Sequence, residues 1–288
     1  MVKYTEEYKK ERINLLINNI KKKKEFSGID DQFVRDLIHK KLNNRELENI
    51  YNHNKLEKSK EFKNSVKLIR KILHETYGVF NLSRKRIKLL NQLKEEIKKT
   101  NKINGPTIDF HIKLLKTHKS TNERVDDYNE IYGRIFSTIK PEIILDLSAG
   151  LNPLSYPWMG LNKVKYIATE LTNEDTEFLD EYFKSMAKFG LDGKTLTLNL
   201  LKTQRFPKSD ICFLLKTLDS LETLKKGISE SIINNIDTKL LIVSFPTKTL
   251  SGKTINKKRL AWFNKLIPNY STFEIKNEIF YIIDKKLY

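Results

Sequence analysis

The sequence is poor in the residues that build covalent or metal cross-links. It contains one cysteine, Cys212, and five histidines among 288 residues. A single cysteine excludes an intrachain disulfide and a cysteine-based zinc cluster, and the histidines lack ligand spacing, so we expect no metal. No apolar run approaches the length of a membrane span, and charged residues begin at Lys3, so we expect neither a membrane helix nor a signal peptide. These absences fit a cytoplasmic protein, which we expect to be a monomer.

Acidic residues are scarce relative to basic ones. The chain has 36 Asp and Glu against 54 Lys and Arg, a net charge of +18. Residues 1–140 carry 33 basic and 19 acidic residues, whereas residues 141–288 carry 21 and 17. A basic half beside a nearly neutral half is typical of a polyanion-binding module joined to a catalytic one, and it predicts a nucleic-acid partner. Lys, Ile and Asn are frequent throughout the chain. The alternative to a nucleic-acid partner is therefore compositional drift, in which lysine is enriched without any binding role.

Residues 1–135 have little strand-like alternation and carry apolar residues at helical spacing. The pattern consists of Ile13, Leu16, Ile17, Ile20, Phe33, Leu37, Ile38, Leu42, Val66, Ile69, Ile72 and Leu73. A further helix is expected over residues 83–99, with Ser83 as its cap. We therefore predict a basic, helical RNA-binding domain over residues 1–135.

Strand and helix patterns alternate from residue 142 onward. Strands are expected over 142–147, 164–169, 194–198, 209–215, 238–244, 272–277 and 279–284, with helices over 173–189, 219–234 and 255–266. This alternation predicts an α/β, Rossmann-like domain over residues 136–288, with a mostly parallel sheet. The last two strands nearly touch at Asn277–Glu278, which predicts an antiparallel hairpin at the sheet edge. A seven-stranded sheet ending in this way is the architecture of class I S-adenosylmethionine-dependent methyltransferases.

The turn after the first of these strands carries the strongest functional signal. Ser148-Ala149-Gly150 has small side chains, so a ligand can approach its backbone closely. Glu170, twenty residues after Gly150, has the position of an acid that accepts hydrogen bonds from ribose hydroxyls. A pyrophosphate site needs three glycines and this turn has one. The turn therefore favours S-adenosylmethionine over a dinucleotide; an ordinary strand–turn–helix without a ligand is the alternative.

Three segments carry a resemblance to a known family. They are the run from His118 to Arg124, the run Leu145–Leu154 followed by Pro157–Met159, and the run Phe213–Glu222 that leads to Ser244–Gly252. In their order and spacing, the chain resembles the FmrO/Arm-type ribosomal RNA guanine-N7 methyltransferases, known from aminoglycoside resistance. The resemblance extends over residues 110–285. Before it, the N-terminus is similar only in being helical and basic.

The resemblance implies S-adenosylmethionine as the cofactor and a set of residues that bind it. These residues are Arg124, Asp146, Ser148, Gly150, Asn152, Glu170, Asn199, Leu200 and Lys216. Arg124 would pair with the cofactor carboxylate, where its planar fork gives bidentate contact, and Asn199 would bind the adenine edge. The alternatives are an exposed arginine at a helix start, a turn-forming asparagine, a plain turn glycine at Gly150 and a solvated acid at Glu170.

The chain departs from the family pattern at three positions. Ser148-Ala149-Gly150 replaces Gly-Cys-Gly, Glu170 replaces the usual Asp, and Asn199-Leu200 stands where an Asp is frequent near the adenine. Small side chains suit the turn, and glutamate keeps the charge. These departures leave the exact substrate more open than the cofactor.

The same resemblance implies a set of residues that bind the RNA target. These are Trp158, Ser244, Thr247, Lys248 and Lys253. Lys248 and Lys253 would contact RNA phosphate. Trp158 would stack a displaced base, or else belong to the core.

Guanine N7 has a lone pair and no proton, so its methylation needs no general base. We therefore expect positioning to dominate catalysis and name no catalytic residue. The best-supported substrate is guanine N7 of small-subunit ribosomal RNA. Another RNA, such as transfer RNA, is an alternative within the enzyme class. An RNA-binding protein with a vestigial cofactor fold is an alternative outside it.

Overall fold

The structure is a computed structural model, and it describes residues 4–23, 26–53, 55–76, 84–248, 254 and 260–287. The chain divides into two compact units, residues 1–81 and residues 82–288. Within the described ranges, no helix combines the length and apolar character needed to cross a membrane.

All the regular secondary structure described in the first unit is helical. Its described residues contain α1 (Glu6–Lys21), α2 (Asp31–Lys41), α3 (Asn44–Asn52) and α4 (Lys60–Thr76). The side chains of Thr5, Asp30 and Asn43 cap the first three helices by accepting backbone N–H groups. The apolar positions predicted from the sequence form its core, except that Val66 and Ile72 are half-buried.

The second unit begins with four helices that the sequence analysis assigned to the N-terminal domain. They are α5 (Arg84–Lys98), α6 (Gly105–Leu115), α7 (Lys119–Arg124) and α8 (Tyr128–Ile135). Helix α5 packs against α6 and against α9 (Asn173–Met186) of the α/β region. Lys94 Nζ lies 2.6 Å from Glu181 Oε2, and His111 Nε2 lies 3.1 Å from Tyr182 Oη. The boundary that we expected at residue 135 therefore falls inside the second unit.

A seven-stranded sheet forms the centre of the second unit, with one strand for each predicted segment. Its strands are β1 (Ile143–Leu147), β2 (Val164–Glu170), β3 (Leu191–Thr197), β4 (Ser209–Leu215), β5 (Thr238–Pro246), β6 (Ser271–Ile275) and β7 (Glu278–Asp284). The spatial order is β3-β2-β1-β4-β5-β7-β6. The first five strands are parallel, and β7 runs antiparallel to both β5 and β6. The α/β fold and the edge hairpin are thus confirmed.

Three further helices lie among the later strands. The helix predicted over 219–234 is divided into α10 (Leu218–Leu224) and α11 (Ile228–Asn235), because Gly227 between them has the left-handed φ of 78°. The helix predicted over 255–266 is present as α12 (Ala261–Leu266), and residues 255–259 lie outside the described part of the chain. Helices α10, α11 and α12 pack with β1, β4, β5 and β7 in one apolar cluster.

Cys212 lies in this cluster, on the central strand β4. Its side chain is fully buried, and burial raises the pKa of the thiol well above its usual range.

The carboxyl ends of the five parallel strands share one edge of the sheet, where ligands bind in open α/β folds. Because β7 is antiparallel, its first residue reaches the same edge: Glu278 pairs with Pro246, the last residue of β5. Side chains at the ends of β1 to β5 and at the start of β7 are thereby brought together. The candidate site lies at this edge.

Candidate cofactor and target site

The turn after β1 is pressed against the end of β2. The Ala149 N–H donates to the Thr169 carbonyl at 3.0 Å, and the Ser148 N–H donates to Thr169 Oγ1 at 3.2 Å. Ser148 and Gly150 have φ values of 55° and 61°. Glycine adopts this left-handed region without strain, whereas a serine there is uncommon. Glycine therefore suits position 150, and the turn tolerates strain at Ser148.

Glu170 at the end of β2 is buried and hydrogen-bonded to this turn. Its Oε1 accepts the Gly150 N–H at 2.5 Å. Burial, followed by repulsion from Asp175, raises the pKa of Glu170 to about 8, although N–H groups of Gly150 and Leu171 oppose the shift. The side chain is not a solvated acid. Its position is that of the expected ribose-binding carboxylate, and the ribose contact itself stays a prediction.

Asp146 and Asn152 support the turn from inside the protein. The Asn152 amide donates to Asp146 Oδ2 at 2.9 Å, and the Tyr166 hydroxyl donates to the same oxygen at 2.6 Å. Both predicted residues are almost completely buried, and burial raises the pKa of Asp146 to about 6. Their contacts fix the turn, so a direct contact of either residue with a cofactor stays a prediction.

Asn199 and Leu200 form the turn after β3. Asn199 Oδ1 accepts the Leu201 N–H at 3.0 Å, and the Asn199 carbonyl accepts the Thr203 N–H at 3.0 Å. Leu200 is buried in the apolar cluster of the sheet. Asn199 therefore shapes this turn, which is the alternative that the sequence left open, and its adenine contact stays a prediction.

Arg124 and Lys216 meet at a buried glutamate. Arg124 Nε and Nη2 donate to Glu278 Oε2 and Oε1 at 2.9 and 2.7 Å. Lys216 Nζ lies 2.6 Å from Glu123 Oε2 and 3.0 Å from Glu278 Oε2. The side chains of Arg124 and Glu278 are both 4% exposed, so Arg124 is not the exposed helix-start arginine of the alternative. Although burial opposes ionisation, Arg124 and Lys216 hold the pKa of Glu278 below its usual range.

Glu278 is a residue of this site that the sequence analysis did not select. It touches two of the predicted cofactor residues, yet it follows Arg124 by 154 positions. The feature that could have identified Glu278 from the sequence is its position as the first residue of the last strand. An antiparallel β7 necessarily brings that residue to the carboxyl edge.

The predicted target residues at the end of β5 and after it have different environments. Ser244 is fully buried; its carbonyl and Oγ accept the Lys216 N–H at 3.0 and 3.1 Å. Lys216 is held there with φ 56°. Lys248 is exposed and pairs with Thr254. Lys253 lies outside the described residues.

Thr247 and Trp158 complete the predicted target set. The Thr247 N–H donates to the Asn277 carbonyl at 2.8 Å, which ties the segment after β5 to the β6–β7 turn. Trp158 is half-buried. Its ring lies 5.9 Å from that of Tyr128 and 6.4 Å from that of His111, between ring centroids. Trp158 thus packs among helices on one side, and its stacking on a base stays a prediction.

Metal-ligand clusters of three or more His, Cys, Asp or Glu side chains are not found among the described residues. Within the part of the chain that the structure describes, the site consists of a strained turn, a buried carboxylate with no cation beside it, and a buried arginine held by a glutamate. Such groups can bind the hydroxyls and the carboxylate of a small polar ligand.

The fold and the site define a class I methyltransferase: the sheet has the order β3-β2-β1-β4-β5-β7-β6 with β7 antiparallel, and the buried acid ends β2. Residues 49–261 match the family model described as "Ribosomal RNA methyltransferase (FmrO)". The match covers nearly three quarters of the 288 residues. The chain belongs to this family, and the resemblance inferred from the sequence is confirmed.

Individual relatives agree with the family. The chain is 29% identical, over 233 residues, to a 16S rRNA (guanine(1405)-N(7))-methyltransferase of Micromonospora rosea; the match covers 77% of this chain and 82% of that protein. The solved structure of the 16S rRNA methylase ArmA is 29% identical, with a TM-score of 0.51 over 68% of this chain and 96% of that one. The 16S rRNA methyltransferase RmtF, crystallised with S-adenosyl-L-homocysteine, has a TM-score of 0.72 over 95% of this chain and 98% of that one, at 21% identity.

Proposed function

We propose that this protein transfers a methyl group from S-adenosylmethionine to guanine N7 in small-subunit ribosomal RNA. Membership of the ribosomal RNA methyltransferase family and the names of the relatives support this reaction. The observation that best supports it is the hydrogen bond between the Gly150 N–H and buried Glu170, because an acid at the end of the second strand is the group expected to bind a ribose in folds of this type. We propose that the protein acts in the cytoplasm as a monomer.

The residues present fit S-adenosylmethionine. Among the described residues, the donors to the Glu170 carboxylate are the backbone amides of Gly150 and Leu171. A carboxylate has about four lone-pair sites, so it can also accept the two ribose hydroxyls. Arg124 has five N–H donors, and Glu278 uses two of them. The remaining donors can bind the amino-acid carboxylate of the cofactor.

The chemistry asks the protein for position rather than for a proton acceptor. When bound, S-adenosylmethionine supplies a methyl group activated by the sulfonium charge. Guanine N7 attacks with its lone pair and releases no proton, so no side chain has to act as a base. Residues around the carboxyl edge hold the reacting atoms in line, and such positioning accounts for a large part of the rate. We accordingly assign no residue as catalyst.

We propose that the first unit contributes phosphate contacts to the RNA. Lys60, Lys63, Lys67 and Lys71 follow one another at spacings of three and four along α4, and all four are exposed. This spacing places them on one face of the helix. A row of lysines on one face is an electrostatic footprint for a phosphate backbone. We call these four residues the α4 lysine row.

The test is to map the methylated nucleotide. Purified 30S subunits are incubated with the protein and labelled S-adenosylmethionine, and the extracted RNA is treated with borohydride and aniline. N7-methylguanosine carries a positive charge and has a labile glycosidic bond, so cleavage at one guanosine of 16S rRNA is expected. Labelled RNA that resists cleavage would rule out N7, and label in transfer RNA instead would identify another RNA as the substrate. A protein that binds RNA but not S-adenosylhomocysteine in calorimetry would be a vestigial cofactor fold.

A further inference from the structure

The start of β7 lies between the two halves of the proposed site. The Asn277 carbonyl accepts the Thr247 N–H from the target-side segment. The next residue, Glu278, binds Arg124 on the cofactor side. The same glutamate contacts Lys216, whose N–H is held by Ser244.

The negative charge of Glu278 balances positive charges on the side chains around it. Arg124 is a buried cation and Lys216 a half-buried one, and Glu278 and Glu123 are the acids that face them. Glu278 Oε2 is shared, since Arg124 Nε lies at 2.9 Å and Lys216 Nζ at 3.0 Å. Removing one partner of a buried ion pair leaves an uncompensated charge. Without the charge of Glu278, the Arg124 guanidinium would lose its bidentate partner, and Lys216 would keep only Glu123.

Glu278 also fixes the orientation of the arginine. It takes one edge of the guanidinium, through Nε and Nη2, and a bidentate contact of this kind locks the plane of the group. The donors that Glu278 does not use then have a defined direction before any ligand arrives. An arginine ordered in advance binds a second carboxylate without the entropy cost of ordering its side chain.

We propose that Glu278 is a positioning residue for the amino-acid end of the cofactor: it orients Arg124 and ties it, through Lys216, to Ser244 near the end of β5. This inference rests on the proposed function, because it assumes that Arg124 binds the cofactor carboxylate. If the inference is right, Glu278 affects binding of the amino-acid end of the ligand only. The adenosine end, bound at Gly150 and Glu170, is independent of Glu278.

The test compares two ligands and two matched variants of the full chain. S-adenosylhomocysteine has the amino-acid carboxylate, and 5′-methylthioadenosine lacks it. Glu278→Gln keeps the shape of the side chain but removes its charge, and Glu274→Gln makes the same change at an exposed position of the same hairpin. We expect Glu278→Gln to weaken binding of S-adenosylhomocysteine about tenfold or more and to leave binding of 5′-methylthioadenosine within about twofold. Glu274→Gln should change neither.

Calorimetry separates this inference from a purely structural role. If Glu278→Gln weakens both ligands equally, or leaves S-adenosylhomocysteine unaffected, the positioning role is wrong. If that variant does not fold, Glu278→Asp keeps the charge but is one methylene shorter, and the same selective loss is expected in a smaller degree; an equal loss for both ligands overturns the proposal. A parent protein that binds neither ligand would overturn the proposed function, and the inference with it.

Discussion

The backbone N–H of Gly150 donates to Oε1 of Glu170 over 2.5 Å. This bond links the turn after β1 to the acid that ends β2. It also explains why the acid tolerates burial: a backbone amide, rather than a cation, faces the carboxylate. No cation of the described residues favours its charged form, and burial raises the pKa of Glu170 to about 8. Two pH-dependent properties follow.

The first is the affinity for the cofactor product. The ionised carboxylate accepts two ribose hydroxyls better than the protonated form does, so S-adenosylhomocysteine should bind more weakly as the pH falls below 8. The loss should approach about tenfold per pH unit at its steepest. Calorimetry between pH 6.5 and 8.5 measures it. Glu170→Gln should bind weakly at every pH, and Glu174→Gln, an exposed acid nearby, should keep the parent profile. A parent affinity that does not change over this range would contradict the assignment.

The second property is the stability of the ligand-free protein. The folded pKa of Glu170 lies above the ordinary 4.5, so the folded state holds the proton more tightly than the unfolded state. The stabilisation is complete below about pH 4.5 and is lost as the pH rises through 8. The free energy of unfolding should therefore decrease from pH 6.5 to 8.5, by up to about 1.4 kcal/mol per unit. Asp146 and Asp175 act in the same direction, but their pKa values are about 6. Denaturant unfolding of Glu170→Gln should lack the decrease in the upper window; an identical decrease in the variant would disprove this origin.

The α4 lysine row should govern the salt dependence of RNA binding. Replacing Lys60, Lys63 and Lys67 with Gln removes three phosphate contacts, so the slope of log affinity against log salt should become shallower by about 1 per lysine. Filter binding of 30S subunits at several salt concentrations gives this slope.

A matched triple variant controls for the loss of charge alone. Lys165, Lys208 and Lys239 are exposed near the amino ends of β2, β4 and β5, at the sheet edge opposite the site. Changing these three to Gln should leave the slope nearly unchanged. If both triple variants make the slope shallower to the same extent, the position of the positive charge does not matter for RNA binding, as compositional drift would predict.

Two glycines should respond to alanine in opposite directions. A β-carbon at Gly193 on β3 would lie 2.1 Å from the Phe183 ring, whereas Gly133 in α8 has open space around it. Gly193→Ala should therefore destabilise the protein by about 1–3 kcal/mol through overpacking. Gly133→Ala should stabilise it by about 0.5–1 kcal/mol, because alanine favours a helix interior. Chemical denaturation measures both, and a neutral Gly193→Ala would show that β3 and α9 can separate at little cost.

The sequence predicted the features that depend on local pattern. The period of apolar residues located all seven strands, and the small residues around Gly150 together with the acid at Glu170 located the turn at which two neighbouring strands end. It did not locate the division between the units. Helices α5 to α8 have the same amphipathic pattern as α1 to α4, and an apolar stripe does not specify the core against which it packs.

The sequence also did not reveal contacts between residues that are far apart along the chain. Glu278 and Arg124 are brought together only by the crossover that places β7 beside β5, and no spacing rule connects them. The environment of Asp146 was equally inaccessible. Its neighbours on a central strand are buried on both faces, so alternation does not tell whether its carboxylate points to a ligand or, as found, to Asn152 and Tyr166.

The burial of Cys212 has a practical consequence for studying the protein in motion. The thiolate is the form that reacts with maleimides and other thiol reagents, and on β4 this form is both inaccessible and disfavoured. A cysteine introduced at an exposed position would then be the one reactive thiol in the folded protein. Fluorophores or spin labels can be attached to either unit without first removing a native residue, so that distances between the units can be followed while the ribosomal subunit binds.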